Sequence, residues 1–123
     1  MSGTAGSAPQ SSPAREPLDA LLFALADPTR RRAVELLASG PRRAGELAGE
    51  LGVRAPSMSK HLRVLRASGL VTESVPSFDT RVRIYQLRRE PIAGLRAWLA
   101  DTEAAWTDEL EAFAAHVATR DET

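Results

Sequence analysis

Apolar residues recur early in the chain at steps of three and four, the spacing of one buried face of an α-helix. The first run contains Leu18, Leu21, Leu22 and Leu25, and the second contains Ala33, Val34, Leu36 and Leu37. Between the runs, Asp27-Pro28-Thr29 joins a helix-capping residue to a proline suited to a first helical turn. We therefore predict two short helices, the first opening at Pro17 and the second ending at Gly40-Pro41.

Two further short helices are predicted over residues 44–51 and 55–68, with Gly52 in the turn between them and Gly69 near the end of the second. Pairs of short helices around a glycine-containing turn are typical of a helix-turn-helix. The residues expected to face inward are Leu47, Ala48 and Leu51 in the first helix, and Met58, Leu62 and Leu65 in the second.

Beyond the helix-turn-helix, β-branched residues mark the segments 70–75 and 81–87, and turn-forming residues separate them, which predicts a β-hairpin. A long helix then begins at Pro91. Its large apolar residues are Ile92, Leu95, Trp98, Leu99, Trp106, Leu110, Phe113 and Val117, at steps close to a heptad seam.

This order of elements is that of a winged helix-turn-helix, a mostly α (α+β) fold with a two-stranded wing. We expect one domain over residues 17–118. Residues 1–16 are rich in Ser, Gly, Ala and Pro and contain no large apolar side chain, so we expect them to form a disordered tail. Residues 119–123 are expected to form a disordered end.

Charge is distributed unevenly, although the chain has 16 basic and 16 acidic residues and no net charge. Residues 42–89 hold ten Lys or Arg against four acids, a net charge of +6, whereas residues 90–123 hold two against eight, a net charge of −6. A basic segment of this kind concentrates positive potential on one surface, which is typical of a polyanion binder. Charge alone also fits a solvated surface that binds nothing.

A helix fits the major groove of DNA, which is about 12 Å wide, and a hairpin beside it can reach the flanking backbone or minor groove. We therefore expect residues 43–88 to bind DNA. The candidate contacts are Arg54, Ala55, Ser57, Ser59, Lys60, His61 and Arg63 around the second helix, and Arg81 and Arg83 on the hairpin. Arg30, Arg31 and Arg32 fit either phosphate contacts or solvated positions on an exposed helix face.

Four motifs follow one another along the chain: Leu25 to Arg31, Glu46-Leu47-Ala48, Ser59 to Leu65 with Ser68 to Val71, and Arg83 to Leu87. In these motifs the chain resembles the ArsR-type (arsenic-repressor-like) regulators of prokaryotes, over about residues 18–118. The resemblance implies a homodimer that represses or autoregulates by occupying a short inverted repeat. In many members of that family an inducer or cofactor alters the affinity for DNA, but the sequence identifies no inducer here.

Two departures from the family pattern affect the interpretation. Metal-sensing members carry cysteines before the turn or an Asp/His/His/Glu set on the last helix, whereas this chain has no cysteine and only His116 on that helix. Isolated carboxylates such as Asp101 and Glu103 hold metals weakly, so we expect no metal, no cofactor and no thiol switch. Arg54 replaces a capping serine, which weakens the cap by roughly 1 kcal/mol but makes Arg54 the first candidate for reading guanine.

A homodimer is also expected because a domain of this size has too little core to cover the apolar stripes of both the first and the last helix. Dimerisation would use residues 18–26 and 91–118, and half-sites on DNA would lie about 34 Å apart. Trp98 and Trp106 could instead stack on a ligand. The candidate interface residues are Leu18, Leu21, Leu22, Leu95, Trp98, Leu99, Thr102, Trp106, Leu110 and Phe113.

No catalytic group of residues is present, because Ser57 and Ser59 have no Asp or second His close enough to form a relay with His61. We therefore expect no enzyme. The alternative to a DNA-binding regulator is a winged-helix interaction module whose basic surface meets an acidic protein. No apolar stretch approaches the roughly 20 residues that span a bilayer, and the first residues lack a signal pattern, so we expect a cytoplasmic protein without membrane partners.

Overall fold

The computed structural model describes residues 15–76 and 78–122. Its elements are α1 (Arg15–Leu25), α2 (Pro28–Ala38), β1 (Arg42–Arg43), α3 (Ala44–Leu51), α4 (Ala55–Ala67), β2 (Val71–Ser74), β3 (Ile84–Leu87) and α5 (Glu90–Glu122). The order and types confirm a mostly helical winged helix-turn-helix. The chain divides after Ile92 into two compact units.

The core of the first unit lies between the helices of the helix-turn-helix and the strands that follow. Its largest fully buried side chains are Leu47, Met58, Leu62, Leu65 and Leu70. All six residues predicted to face inward from α3 and α4 are buried, which confirms the helical periodicity. In α1, by contrast, Leu21 and Ala24 are buried, whereas the Leu22 side chain is 40% exposed.

Helix boundaries follow from local chemistry. The Asp27 Oδ2 atom accepts a hydrogen bond from the Arg30 backbone N–H at 3.0 Å, so Asp27 caps α2 as predicted. Arg54 stands at the N-cap of α4 and makes no side-chain capping hydrogen bond, also as predicted. Gly52 ends α3 with φ at 68°, a left-handed conformation that favours glycine and lets the chain turn directly into α4.

The sheet has three strands in the order β1-β3-β2, all antiparallel: β2 and β3 form the predicted two-stranded wing, and a third strand that was not predicted pairs with β3. The unpredicted strand, β1, pairs Arg42 with Tyr85 and Arg43 with Ile84. A two-residue strand carries no alternation of its own and exists through its pairing with β3. The strands of the wing, β2 and β3, are also shorter than predicted, which leaves a long loop between Ser74 and Ile84.

At both ends of the described chain, the terminal helix extends into a segment that was expected to be disordered. Arg15 and Glu16 belong to α1, and residues 119–122 belong to α5, so the expected disorder is wrong for these positions. Alanine and other strong helix formers make up much of the α5 sequence, and they extend a helix without any signal in the apolar spacing. The remaining residues of the two expected disordered segments, 1–14 and Thr123, lie outside the described residues.

The second unit contains α5 from Ala93 onward, and most large apolar side chains along it are exposed. Trp106 and Phe113 are each 65% exposed and Leu110 is 67% exposed. Although α5 is long, neither it nor any other helix within the described ranges is apolar enough over 18 residues to cross a membrane.

Candidate nucleic-acid interface

Helix α4 has two opposite faces. Met58, Leu62 and Leu65 hold one face in the core of the first unit. The helical period of 3.6 residues then directs Lys60 and Arg63 to the opposite face, where both side chains are exposed. The other candidate contacts on this element, Arg54, Ala55, Ser57 and Ser59, are also exposed. The first unit therefore presents a polar, cationic helix face.

The cations on this face are unpaired among the residues that the structure describes. Within the part of the chain that the structure describes, no hydrogen bond or ion pair engages the side chains of Arg54, Lys60 or Arg63. An unpaired exposed cation can bind a phosphate or a base edge without first breaking an ion pair. This is the chemical property expected of a helix that contacts DNA.

His61 lies differently from its neighbours. Its side chain is 22% exposed, and its Nδ1 atom lies 3.3 Å from Arg30 Nη1 and 3.9 Å from Asp27 Oδ2. Since a guanidinium only donates, Nδ1 accepts this hydrogen bond in the neutral ring, whose proton is then on Nε2; in the charged ring the protonated Nδ1 faces the Asp27 carboxylate instead. His61, predicted from the sequence as a DNA contact, therefore also joins α4 to the start of α2.

Arg30 lies at the junction of three helices. Its Nε donates to the Ala24 carbonyl at 2.7 Å, its Nη2 donates to the Phe23 carbonyl at 3.1 Å, and its guanidinium lies 5.4 Å from the centre of the Phe23 ring. Sequence reasoning missed this role. The available signal was local, since the last carbonyls of α1 need donors and Arg30 follows them closely.

The same junction shifts the titration of Asp27. The hydrogen bond from the Arg30 backbone N–H lowers the pKa of Asp27, burial opposes this effect, and the nearby charges of His61 and Arg30 lower the pKa further. The net effect is a pKa below the ordinary value, so the carboxylate stays charged at neutral pH and acts as the cap of α2.

The wing carries the two remaining candidate contacts, and both are paired with acids. Arg81 Nε lies 3.3 Å from Asp79 Oδ1, with the Arg81 side chain 90% exposed. Arg83 Nη1 donates to the Thr80 carbonyl at 2.6 Å, and Arg83 Nε lies 3.8 Å from Glu73 Oε2. Phe78, which is 80% exposed, lies in the same loop. Both arginines precede Ile84, the first residue of β3, so they belong to the loop of the wing and not to that strand.

Sequence reasoning also missed Glu73, which connects α4 to the wing. Its Oε2 accepts a hydrogen bond from Tyr85 Oη at 2.8 Å, and its Oε1 lies 3.4 Å from Arg66 Nη1. Burial raises the pKa of Tyr85, and the hydrogen bond to Glu73 and the charge of Glu73 raise it further, against smaller opposing effects of Arg66 and Arg83. No sequence pattern indicates this cluster, because its members come from four separate segments.

The candidate interface residues fall into two groups. Leu21 is only 3% exposed and packs within the first unit, so its assignment to a dimer interface is corrected: it lies on the inward side of α1. Leu18, Leu95 and Thr102 are half-buried. The exposed members are Leu22, Trp98, Leu99, Trp106, Leu110 and Phe113.

Among residues 15–76 and 78–122, no group of three or more His, Asp or Glu side chains is arranged to hold a metal ion. His116 lies on α5 and is exposed.

Comparisons with known proteins agree with a DNA-binding role for this surface. Residues 27–73, which include α3 and α4, match the family described as "Bacterial regulatory protein, arsR family". The chain is 45% identical over 91 residues to the HTH-type transcriptional regulator Rv2034 of Mycobacterium tuberculosis, covering 74% of this chain and 79% of that protein. It is 36% identical over 50 residues to the transcriptional repressor SdpR of Bacillus subtilis, covering 41% of this chain and 56% of SdpR.

Solved structures give the same result. The ArsR family transcriptional regulator RHA00566 superposes with a TM-score of 0.68 and 35% identity, covering 76% of this chain and 93% of that one. An ArsR-like transcriptional regulator from Rhodococcus sp. RHA1 superposes with a TM-score of 0.69 and 28% identity, covering 79% of this chain and 89% of that one. The chain belongs to the ArsR family of bacterial regulatory proteins, and it is a DNA-binding transcription regulator rather than an enzyme.

Proposed function

We propose that the protein is a homodimeric repressor or autoregulator that binds an inverted-repeat operator and does not respond to metal ions. One observation carries the proposal: the outer face of α4 presents Lys60 and Arg63, with Arg54 at its start, and none of the three has an intramolecular partner within the described residues. A helix with free cations on one face and a buried apolar face on the other suits the major groove.

In this proposal the individual residues have different roles. Arg54, Ser57, Ser59 and Lys60 meet base edges or nearby phosphates, Ala55 packs at the helix entry, and Arg63 meets a phosphate. Arg81 reaches the backbone beside the major groove, and Arg83 reaches it only when its ion pair with Glu73 opens. His61 donates from Nε2 to a phosphate, because Arg30 occupies its Nδ1.

The proposed dimer rests on exposed apolar surface. Trp98, Leu99, Trp106, Leu110 and Phe113 on α5 and Leu22 on α1 are each at least 40% exposed. Covering apolar surface is worth about 25 cal/mol per Å², and large patches of this kind on soluble proteins usually mark interfaces. A second copy supplies the same surfaces by symmetry. The absence of cysteine from the sequence supports a regulator that does not sense metals through thiolates.

Binding to the protein's own upstream DNA tests the proposal. The purified protein should protect a pseudo-palindromic segment there, and its affinity should fall steeply as salt rises, because bound cations release counterions. Arg54→Ala and Lys60→Ala should each abolish the preference for that segment while the protein stays dimeric. Arg96→Ala, which removes an exposed arginine outside the apolar stripe of α5, is the matched control and should bind normally.

Failure to bind any duplex at low salt would reject the operator-binding function and favour the interaction module. Wild-type affinity in both Arg54→Ala and Lys60→Ala would show instead that another element contacts the DNA.

A further inference from the structure

The carboxylate of Glu73 meets groups from three other segments. It accepts a hydrogen bond from Tyr85 on β3 at 2.8 Å, and it lies 3.4 Å from the Arg66 guanidinium of α4 and 3.8 Å from the Arg83 guanidinium of the wing loop. Glu73 and Tyr85 are directly opposite each other in the pairing of β2 with β3, so their side chains share one face of the sheet. The cluster therefore links the last turn of α4 to the wing.

The members of the cluster differ in exposure. The Glu73 side chain is 20% exposed, whereas those of Arg66 and Arg83 are 48% and 45% exposed. The tyrosine hydroxyl and the sheet fix the carboxylate, and both guanidinium groups still reach solvent. A carboxylate held between two arginines offers the same charge-assisted hydrogen bonds that a DNA phosphate would offer. Glu73 is therefore placed to compete with DNA for both cations.

We propose that Glu73 is a positioning residue that fixes α4 relative to the wing and withholds Arg66 and Arg83 from the DNA backbone. The unpaired cations of α4, Arg54, Lys60 and Arg63, then supply a larger share of the binding energy. Backbone contacts strengthen binding to every sequence alike, whereas base contacts distinguish sequences. Glu73 thereby raises the preference for the operator over other DNA. This inference rests on the proposed function and specifies how the same surface achieves selectivity.

The first experiment measures the salt dependence of binding for the full chain and its Glu73→Gln variant. The probes are a duplex from the protein's own upstream region and an unrelated duplex of equal length. Each phosphate contact contributes about 0.9 to the slope of log affinity against log salt, so Glu73→Gln should steepen the slope by up to about 1.8. Affinity for the unrelated duplex should rise by the order of tenfold at low salt and affinity for the upstream duplex by less.

A charge-matched control separates this effect from net charge. Glu50 is paired with Arg42 at 3.3 Å and its side chain is 44% exposed, so Glu50→Gln also removes one negative charge and one arginine ion pair, while Arg42 keeps its hydrogen bonds to the Gly40 carbonyl and to Ser39 Oγ. Since neither residue belongs to the proposed DNA contacts, Glu50→Gln should leave the salt slope and the affinity ratio near their wild-type values.

A second readout reports the cluster directly, without DNA. Tyr85 is the sole tyrosine of the chain, so its ionisation can be followed by near-ultraviolet absorbance. Glu73→Gln removes the negative charge that helps to raise the pKa of Tyr85, so the titration should move to lower pH while burial keeps part of the shift. Arg66→Ala provides a variant that leaves Glu73 in place. If Glu73 withholds Arg66 from DNA in the wild type, Arg66 contributes little to the salt slope, so Arg66→Ala should leave that slope nearly unchanged.

The outcomes are distinct. A steeper slope, a smaller affinity ratio and a lowered tyrosine pKa in Glu73→Gln, all absent from Glu50→Gln, support the inference. If wild-type protein prefers its upstream duplex but Glu73→Gln keeps the wild-type slope, or Arg66→Ala alone flattens it by about 0.9, the inference is overturned. If wild-type protein shows no preference for that duplex, the proposed function fails, and the tyrosine titration still tests the contact.

Discussion

Arginines that look equivalent in the sequence have different environments in the fold. Arg30 uses its guanidinium on the carbonyls of α1 and on His61, whereas no side-chain partner engages Arg63 among the described residues. The cap provided by Asp27 could be predicted because its partner is three residues away. The ion pairs of Glu73 could not be predicted, because they depend on how α4 and the wing are placed relative to each other.

Asp27→Ala should destabilise the protein by about 1 kcal/mol at neutral pH, because the cap of α2 is lost. Asp27→Asn is the matched control, since asparagine caps equally well and does not titrate. Denaturant midpoints for both variants and the wild type would measure the difference. Equal midpoints for Asp27→Ala and the wild type would show that the cap contributes nothing.

The pH dependence of stability has a defined sign at Asp27. Its pKa is lower in the folded state than the ordinary value of 3.8, so the folded carboxylate is favoured. The resulting stabilisation is fully present above pH 3.8 and is lost as pH falls through the folded pKa. Wild-type protein should therefore lose more stability on acidification than Asp27→Asn, as denaturant unfolding at several acidic pH values would show. Parallel losses in the two proteins would exclude this contribution.

Arg81→Ala should lower affinity for all DNA sequences alike, because the exposed Arg81 side chain is proposed to meet a phosphate. The salt slope should flatten by about 0.9, and the ratio of upstream to unrelated affinity should stay constant. Competition binding at several salt concentrations measures both quantities. A changed preference among operator sequences would mean that the wing reads bases.

At the scale of elements, the helices were predictable and the short strand was not. The ends of α2 and α3 follow from Asp27-Pro28 and Gly52, which act locally. Strand β1 has two residues and depends on pairing with β3, some forty positions later in the chain. The loop between β2 and β3 is longer than predicted because turns around Asp79 replace strand pairing.

Arg30→Ala should destabilise the junction of α1, α2 and α4 by about 1–3 kcal/mol, because two partly buried acceptors and one exposed acceptor lose their donor. Arg96→Ala, at an exposed position of α5, should change stability by less than about 0.5 kcal/mol. Chemical denaturation of the two variants measures the difference. A null effect of Arg30→Ala would show that solvent replaces these hydrogen bonds at no cost.

At the scale of the whole molecule, charge and apolar surface are segregated along the chain. The basic residues 42–89 lie within the first unit, whereas residues 90–123 carry the net negative charge and most of the exposed aromatic side chains. This segregation could be predicted from the sequence, because composition and helical period are sufficient for it. The burial of Leu21 could not be predicted, because the sequence does not show which of the neighbouring leucines on α1 faces the core.

Phe113→Glu should convert the proposed dimer to a monomer, because it places a charge in the centre of the exposed stripe of α5. Ala104→Glu adds the same charge on the opposite side of the helix and should leave the dimer intact. Light scattering after gel filtration would measure the mass of each variant. A dimeric Phe113→Glu protein, or a monomeric wild type, would reject α5 as the interface.

The exposure of Trp98 and Trp106 has an optical consequence. Both tryptophans of the chain lie on α5, 41% and 65% exposed, so the tryptophan fluorescence originates entirely from that helix. The emission wavelength then depends on how far the indole rings are exposed to water, and not on the conformation of the wing. Diluting the protein below the dissociation constant of the proposed dimer should shift tryptophan emission to longer wavelength, whereas adding duplex DNA to protein that is already dimeric should leave the wavelength unchanged.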